Sequence, residues 1–426
     1  MTTIETGINA GARRGSLDRR GLIKAGAAVG AAGLLAAPKP SWAASEVPIK
    51  IGLVDPITSI FAPLGHSEIK GARFAEEEIN KKGGIMSRPL QLLVEDGAGS
   101  PGTSIDKASR LLSRDKIDFL MGTVNSASSL ALSQFANKHD LLFLCTGGHA
   151  DAVTGKDCHW NTFRTCSTTW MLTSGDFETL FKKFGKSWYF ITTDYAFGHA
   201  EQSDYTKQLK TAGGRVVGTA LAPVGTTDFS SYLIDVKAKK PDFICLLLAG
   251  DDQVNCMKQI SQFGINKQIP VGGALFELEQ AQALPEAARY GWWTMEWYWD
   301  QPHTPHVAEF VKAYSTKYKG EYPSARSWFG YASTYAIKLA VEKAKSTNTM
   351  KVVRAMEGLV LPPEIALQPN APEYRAADHQ LMLSMFPGHV IQTGKYPSLF
   401  DVSAIIPGKK IALSAAAADC KMTYPT

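Results

Sequence analysis

Residues able to do chemistry occur in this sequence, but not at spacings that build a reaction centre. Asp251-Asp252 and Glu95-Asp96 place adjacent carboxylates just after strand-like runs. Neighbours in a chain point in different directions, so neither pair makes an acid–base couple. His303 and His306, in QPHTPH, stand beside prolines in an expected surface loop and do not amount to a metal set. There is no GxSxG elbow, no HExxH, no phosphate loop ending in Gly-Lys-Ser/Thr and no GxGxxG after a strand. Gly213-Gly214 and Gly272-Gly273 read as turn glycines. Of the six cysteines, Cys145 and Cys245 lie inside the apolar runs LLFLC and FICLLL and read as core filling. Cys158, Cys166, Cys256 and Cys420 allow three pairings. The expected bridge starts at Cys158 and ends at Cys166 or at Cys420. Neither enzyme, cofactor nor metal centre is the expectation.

The elements that position these residues belong to a globular chain of 426 residues, 45% hydrophobic and 20% charged, with 37 Gly and 22 Pro. That profile excludes disorder, collagen-like repeats and coiled coil. The formal net charge is +5, yet Arg13, Arg14, Arg19, Arg20, Lys24 and Lys39, against Glu5 and Asp18, put most of it in residues 1–43. The remainder is close to neutral, so no nucleic-acid or anionic-membrane partner is implied. The leader joins Asp18-Arg19-Arg20-Gly21-Leu22-Ile23-Lys24 to an apolar run over 25–37 and then to Ser41-Trp42-Ala43. A charged segment, a short apolar run and small residues at cleavage spacing describe an export signal, here resembling a twin-arginine signal. The run falls short of the ~20 residues a membrane-spanning helix needs. The mature protein is expected to begin near Ala44 and to reside in the periplasm.

From Ile49 onward, short apolar runs alternate with amphipathic stretches. IKIGLV, LQLLVE, DFLMG and LLFLC read as strands. Helices are expected over 65–82, where Ile69, Ala72, Ala75 and Ile79 recur at helical spacing, around Ile105 to Leu112, and over 126–139. After an irregular stretch around Cys158, the same order resumes. Helices are expected over 170–184, 196–212, 232–239 and 253–263, between the strands WYFIT, RVVGTAL, FICLLL and QIPVG. Such β-α alternation calls for parallel sheets covered by helices on both faces. The aromatic run GWWTMEWYW is strand-like. Beyond it, helices over 307–318, 331–345 and 350–359 have no alternating strands, so they must cover sheets already made. The resulting expectation is two doubly wound, Rossmann-like α/β lobes, with the chain crossing between them near 161–166, 291–299 and 374–379. Lobe 1 then comprises 44–164 plus 297–376, and lobe 2 comprises 165–296 plus 377–426. Loops beyond the carboxyl ends of the strands would face one cleft.

An export signal followed by such lobes resembles the solute-binding proteins of ABC importers, closest to the branched-chain amino-acid type with the type I periplasmic binding fold. The segments that carry the likeness are IKIGLVDPITSIFAPLGHSEIKGARFAEEEINKKGGI, MGTVNSASSLALSQFANKHDLLFLCTGG, TTDYAFGHAEQ, PSARSWFGYASTYAIKLAVEKA and YRAADHQ. The resemblance implies a small-molecule ligand, hinge closure, delivery to an ABC permease in the inner membrane, and a monomer. By position it assigns Ser126 to a ligand carboxylate at a helix start, where backbone amides also favour an anion; a plain N-cap is the alternative. Gly147 and His149 fall around the ligand's polar head, His149 being a departure that either donates to a carboxylate or is a solvated loop histidine. Phe197 faces the cleft from lobe 2, Tyr195 lines it or anchors its loop, and Phe61 contacts the ligand side chain or packs its own lobe. Gly250 is a point of close backbone approach to a ligand.

Amino-acid binders of this kind place an acid shortly after the strand that matches QIPVGG. Here that register reads Ala274-Leu275-Phe276, and Glu277 comes late. A desolvated ammonium without a carboxylate is costly, so either Glu277 reaches in through a longer loop or the ligand has no ammonium. With Phe61, Phe197 and Phe276 as candidate liners, the expectation leans to a carboxylated, aromatic solute. The rival readings are a ligand-sensing subunit of a membrane receptor and an exported α/β enzyme.

Overall fold

The computed structural model describes residues 47–425; the expected export signal over 1–43 and the start near Ala44 lie outside the described residues. No described helix is long and apolar enough to cross a membrane. Lobe 1 opens with β1 (Ile49–Asp55), α1 (Ala62–Lys81), β2 (Leu90–Asp96), α2 (Pro101–Arg110), β3 (Phe119–Gly122), α3 (Ser126–Lys138), β4 (Phe143–Cys145) and β5 (Thr162–Arg164). Its five strands run parallel in the order β2-β1-β3-β4-β5. Side chains alternate between faces. Ile51, Leu53, Phe119 and Met121 pack into one core with Phe74 and Ala75 of α1, while Val54, Leu120 and Phe143 meet Ala108 and Leu132 of α2 and α3 on the other face.

The chain then leaves β5 and builds the second lobe from α4 (Thr169–Phe184), β6 (Ser187–Thr193), α5 (Ala196–Thr211), β7 (Arg215–Ala222), α6 (Ser230–Lys239), β8 (Phe243–Leu247), α7 (Gly250–Gln262), β9 (Val271–Gly272), α8 (Leu278–Ala283) and β10 (Trp292–Met295). After β10 it returns to lobe 1 as α9 (Val307–Lys317), α10 (Ala325–Ala344), α11 (Thr349–Met356) and the short α12 (Pro363–Ala366), where Phe310 and Tyr314 of α9 pack on Phe74. A third passage gives β11 (Phe386–Val390), β12 (Phe400–Val402) and the one-turn α13 (Gly408–Ile411). The second sheet has the order β12-β11-β10-β9-β8-β6-β7, parallel except for the antiparallel β10-β11-β12 edge. This is the expected doubly wound α/β architecture with the chain passing between lobes three times.

Several details depart from the sequence reading. The stretch expected to be irregular contains β5, whose Arg164 also pairs in parallel with Gln380 of the returning chain. In GWWTMEWYW only Trp292–Met295 is strand; Glu296 turns away to meet His149. The last helix of lobe 1's inner face begins at Ala325, capped by Ser324, whose hydroxyl accepts from Ser327 N, well before the expected 331. Expected lobe 2 also covered everything after 377. Instead Gln380 pairs with lobe 1, and the tail ends against it: Cys420 is bonded to Cys158, and the Tyr424 hydroxyl donates to Glu357 at 2.6 Å. Cys158–Cys420 is one of the two bridges expected.

That bridge closes a loop spanning 262 residues in sequence, so it removes much freedom from the unfolded chain. Replacing both Cys158 and Cys420 by Ser should lower the unfolding free energy by about 2–5 kcal/mol, read as an earlier denaturant midpoint at unchanged slope.

Candidate functional site: a buried ionic centre between the lobes

Two helices of lobe 1 supply the centre. Glu68 lies on the inward stripe of α1, with Leu64, Ala72 and Ala75, although it is charged. Arg326 lies in the first turn of α10, where the helix dipole disfavours a cation. Both are buried, and glycines explain how they meet. A Cβ on Gly71 would stand 1.8 Å from the Ser327 carbonyl oxygen, and one on Gly330 would stand 2.0 Å from that of Glu68. The helices therefore pack backbone against backbone. Arg326 Nη1 donates to Glu68 Oε1 at 2.9 Å and to the Gly147 carbonyl at 3.4 Å. The Thr146 hydroxyl donates to Glu68 Oε2 at 2.5 Å.

The third partner comes from the other lobe. Glu277, directly before α8, accepts from Arg326 Nε at 2.7 Å. Its loop is held by the Gln280 side chain, which accepts from Glu277 N at 2.9 Å. Burial pushes the Glu277 carboxyl up to about 8 despite the pull of Arg326, and its Oε2 has no hydrogen-bond partner. Beside it, His149 Nε2 lies 2.6 Å from Glu296 Oε2, and Ser167 N donates to Glu296 Oε1 at 2.7 Å. Burial lowers the His149 pKa, whereas His149 and Arg326 hold Glu296 below the usual carboxylate range against the opposing effect of burial. His149 and Glu296 thus form a buried hydrogen-bonded pair. Asp55, at the end of β1, is fully buried with both oxygens unpartnered; burial and then Glu68 push it well above the carboxylate range.

The residues expected from sequence are placed as follows. Ser126 is the first residue of α3, but the cap is Asn125, whose Oδ1 accepts from Ser128 N; Ser126 Oγ accepts from Ala150 N at 3.1 Å and ties down the loop after β4. His149 is buried in that loop, so the solvated-loop alternative is overturned. Gly147 admits the guanidinium: a Cβ there would stand 2.2 Å from Arg326 Nη1. Phe61, Tyr195 and Phe197 form a chain of rings with centroids 6.0 Å apart at each step, and His149 continues it, 5.9 Å from Phe197. Phe61 is also packed in its own core. Gly250 has φ +56, and a Cβ there would stand 2.4 Å from the Ile60 carbonyl; the close approach is to the other lobe. Asp251 N donates to that carbonyl at 3.1 Å. Phe276 is not among the cleft rings: it stacks on Trp293 at 5.2 Å inside the second lobe's core. A cavity of about 460 Å³ lined by residues including His66, Lys70, Glu279 and Ser324 opens between α1 and α8.

Arg326, Glu68 and Glu296 were missed by sequence reasoning. A charge on an apolar helical stripe pointed to Glu68, and a base in a helix's first turn would have pointed to Arg326 had α10 been started at its true residue.

Comparison with known proteins agrees with this fold. A family model described as periplasmic binding protein matches residues 48–395. The chain belongs to the periplasmic binding protein family. It is 28% identical over 352 residues to the Leu/Ile/Val-binding protein homolog 7 of Brucella suis, covering 78% of this chain and 85% of that protein. A periplasmic binding protein from Burkholderia mallei superposes with TM-score 0.81 at 26% identity, covering 88% of this chain and 98% of the other. An ABC-transporter solute-binding protein from Rhodopseudomonas palustris, solved with benzoate, shares the fold with TM-score 0.78 at 20% identity, covering 88% and 100%. The fold is that of a type I periplasmic binding protein, and the chain is a solute-binding protein of the ABC-transporter type.

Gly147→Ala should push the guanidinium off its partners. Breaking a buried ion pair costs about 3–5 kcal/mol, so a loss near that size is expected in urea unfolding, against well under 1 kcal/mol for Gly102→Ala, whose Cβ would meet nothing within 4 Å.

Proposed function

We propose that this protein works outside the cytoplasm as a monomeric solute-binding protein, capturing a small carboxylated organic solute, amino-acid-like or aromatic, by hinge closure and delivering it to an ABC permease in the inner membrane. Export by the twin-arginine-like segment over 1–43 is part of this reading. The single observation that carries it is the buried bond from Arg326 of lobe 1 to Glu277 of lobe 2. A site shared between hinged halves gives a ligand different contacts in the open and closed states, and only such a difference can drive closure. Donors cluster there: the free edge of Arg326, the Ser126 hydroxyl and the amides starting α3 suit an acid group. The rings of Phe61, Tyr195 and Phe197 suit an apolar or aromatic body. Family membership, the benzoate bound by the Rhodopseudomonas palustris protein and the Leu/Ile/Val-binding name of the Brucella suis relative support small carboxylated solutes.

A thermal-shift panel of carboxylated metabolites tests the reading, because a ligand of the folded state raises stability with occupancy. At least one small organic acid should raise Tm by several degrees and be recovered chemically unchanged after incubation. Conversion of that acid, or a panel without any shift, contradicts the proposal.

A further inference from the structure

A desolvated ammonium needs an ionised carboxylate with an oxygen to spare. The acids at the centre have few. Glu68 gives Oε1 to Arg326 and Oε2 to Thr146. Glu296 gives Oε2 to His149 and Oε1 to Ser167 N. Glu277 gives Oε1 to Arg326. The bare oxygens belong to Glu277 Oε2 and to Asp55, and burial drives both of these groups toward the neutral acid. On the donor side, Arg326 bonds through Nε and Nη1, and Nη2 makes no hydrogen bond with the described residues.

We propose that Arg326 is the specificity-determining residue of the cleft: its guanidinium occupies the carboxylates that a ligand ammonium would require and offers its remaining edge to a ligand acid group, so the site prefers carboxylic acids without an ammonium over the corresponding amino acids. The proposal rests on the carboxylated-solute reading above and sharpens it. Arg326 is built in for this position rather than fitted there by chance. Its insertion needs Gly147 without a Cβ, the backbone contact of α1 with α10 through Gly71 and Gly330, and a cation placed against the dipole of its own helix. A guanidinium also keeps its charge at any pH the protein meets, so the exclusion is permanent.

Matched pairs that differ only in the amino group isolate the effect. Calorimetric titration of the mature protein would compare 3-phenylpropanoate with phenylalanine and 4-methylpentanoate with leucine. The expected result is at least tenfold tighter binding of the deaminated acid in whichever pair binds. Equal or tighter binding of the amino acid overturns the role given to Arg326 while leaving the solute-binding reading intact. Where neither pair binds, the acid found by the thermal-shift panel and its α-amino counterpart take their place, and a panel without any binding acid rejects the carboxylated-solute reading and this inference with it. In Arg326→Gln the preference should shrink at least tenfold, because Glu68 Oε1 loses its guanidinium partner and is free to meet an ammonium; a folded variant with an unchanged preference also overturns it. Should that variant fail to fold, the wild-type pairs decide alone.

Discussion

A guanidinium buried between two lobes is the constraint around which the rest of the structure is arranged. Taking a charge out of water costs several kcal/mol unless partners replace the lost hydration. Arg326 finds one carboxylate, Glu68, on its own lobe, and it reaches that partner because Gly71 and Gly330 let two helices touch along their backbones. It finds a second, Glu277, on the other lobe. The buried charge is therefore satisfied by both lobes at once. The neighbouring contacts follow the same plan: Ser324 donates to Glu279, and Asp251 N to the Ile60 carbonyl, each across the same gap.

The passages between the lobes are held as deliberately as the cleft. Arg164, at the end of β5, donates to the carbonyls of Gly148, His149 and Ala150 and to Gln380 of the returning chain. It thereby fixes the loop carrying His149 to two of the three passages between lobes. Glu296, on the remaining passage, accepts from His149 and Ser167. The crossings are thus registered by buried polar bonds within the chain, and such bonds favour one geometry over its alternatives. The tail, bonded at Cys158, joins lobe 1 and brings the Tyr424 hydroxyl to 3.4 Å from His379 Nε2 on the third passage.

The architecture was largely legible because its signals are local. Apolar runs such as IKIGLV and FICLLL alternate with helical stripes, and that order leaves few parallel topologies. What escaped was set by distant partners. β5 is only Thr162–Arg164 and is defined by β4 and by Gln380. Glu296 leaves the strand to bond a histidine far back in the chain. Position named Ser126, His149 and Glu277 as candidates, but the partners they meet could not be read: Arg326 is separated by 258 residues from Glu68 and by 49 from Glu277. Phe276 was misplaced because an aromatic next to a cleft acid carries no sign of which face it takes; here it takes the core face, against Trp293.

The account stands most directly on the coupling between Arg326 and Glu277. A double-mutant cycle of Arg326→Gln, Glu277→Gln and the pair, followed by urea unfolding, measures it. Independent sites add within about 0.5 kcal/mol. The account predicts a coupling of at least about 2 kcal/mol, with the double variant less damaged than the sum of the singles. Losses that simply add would mean that the two lobes are not joined through this bond.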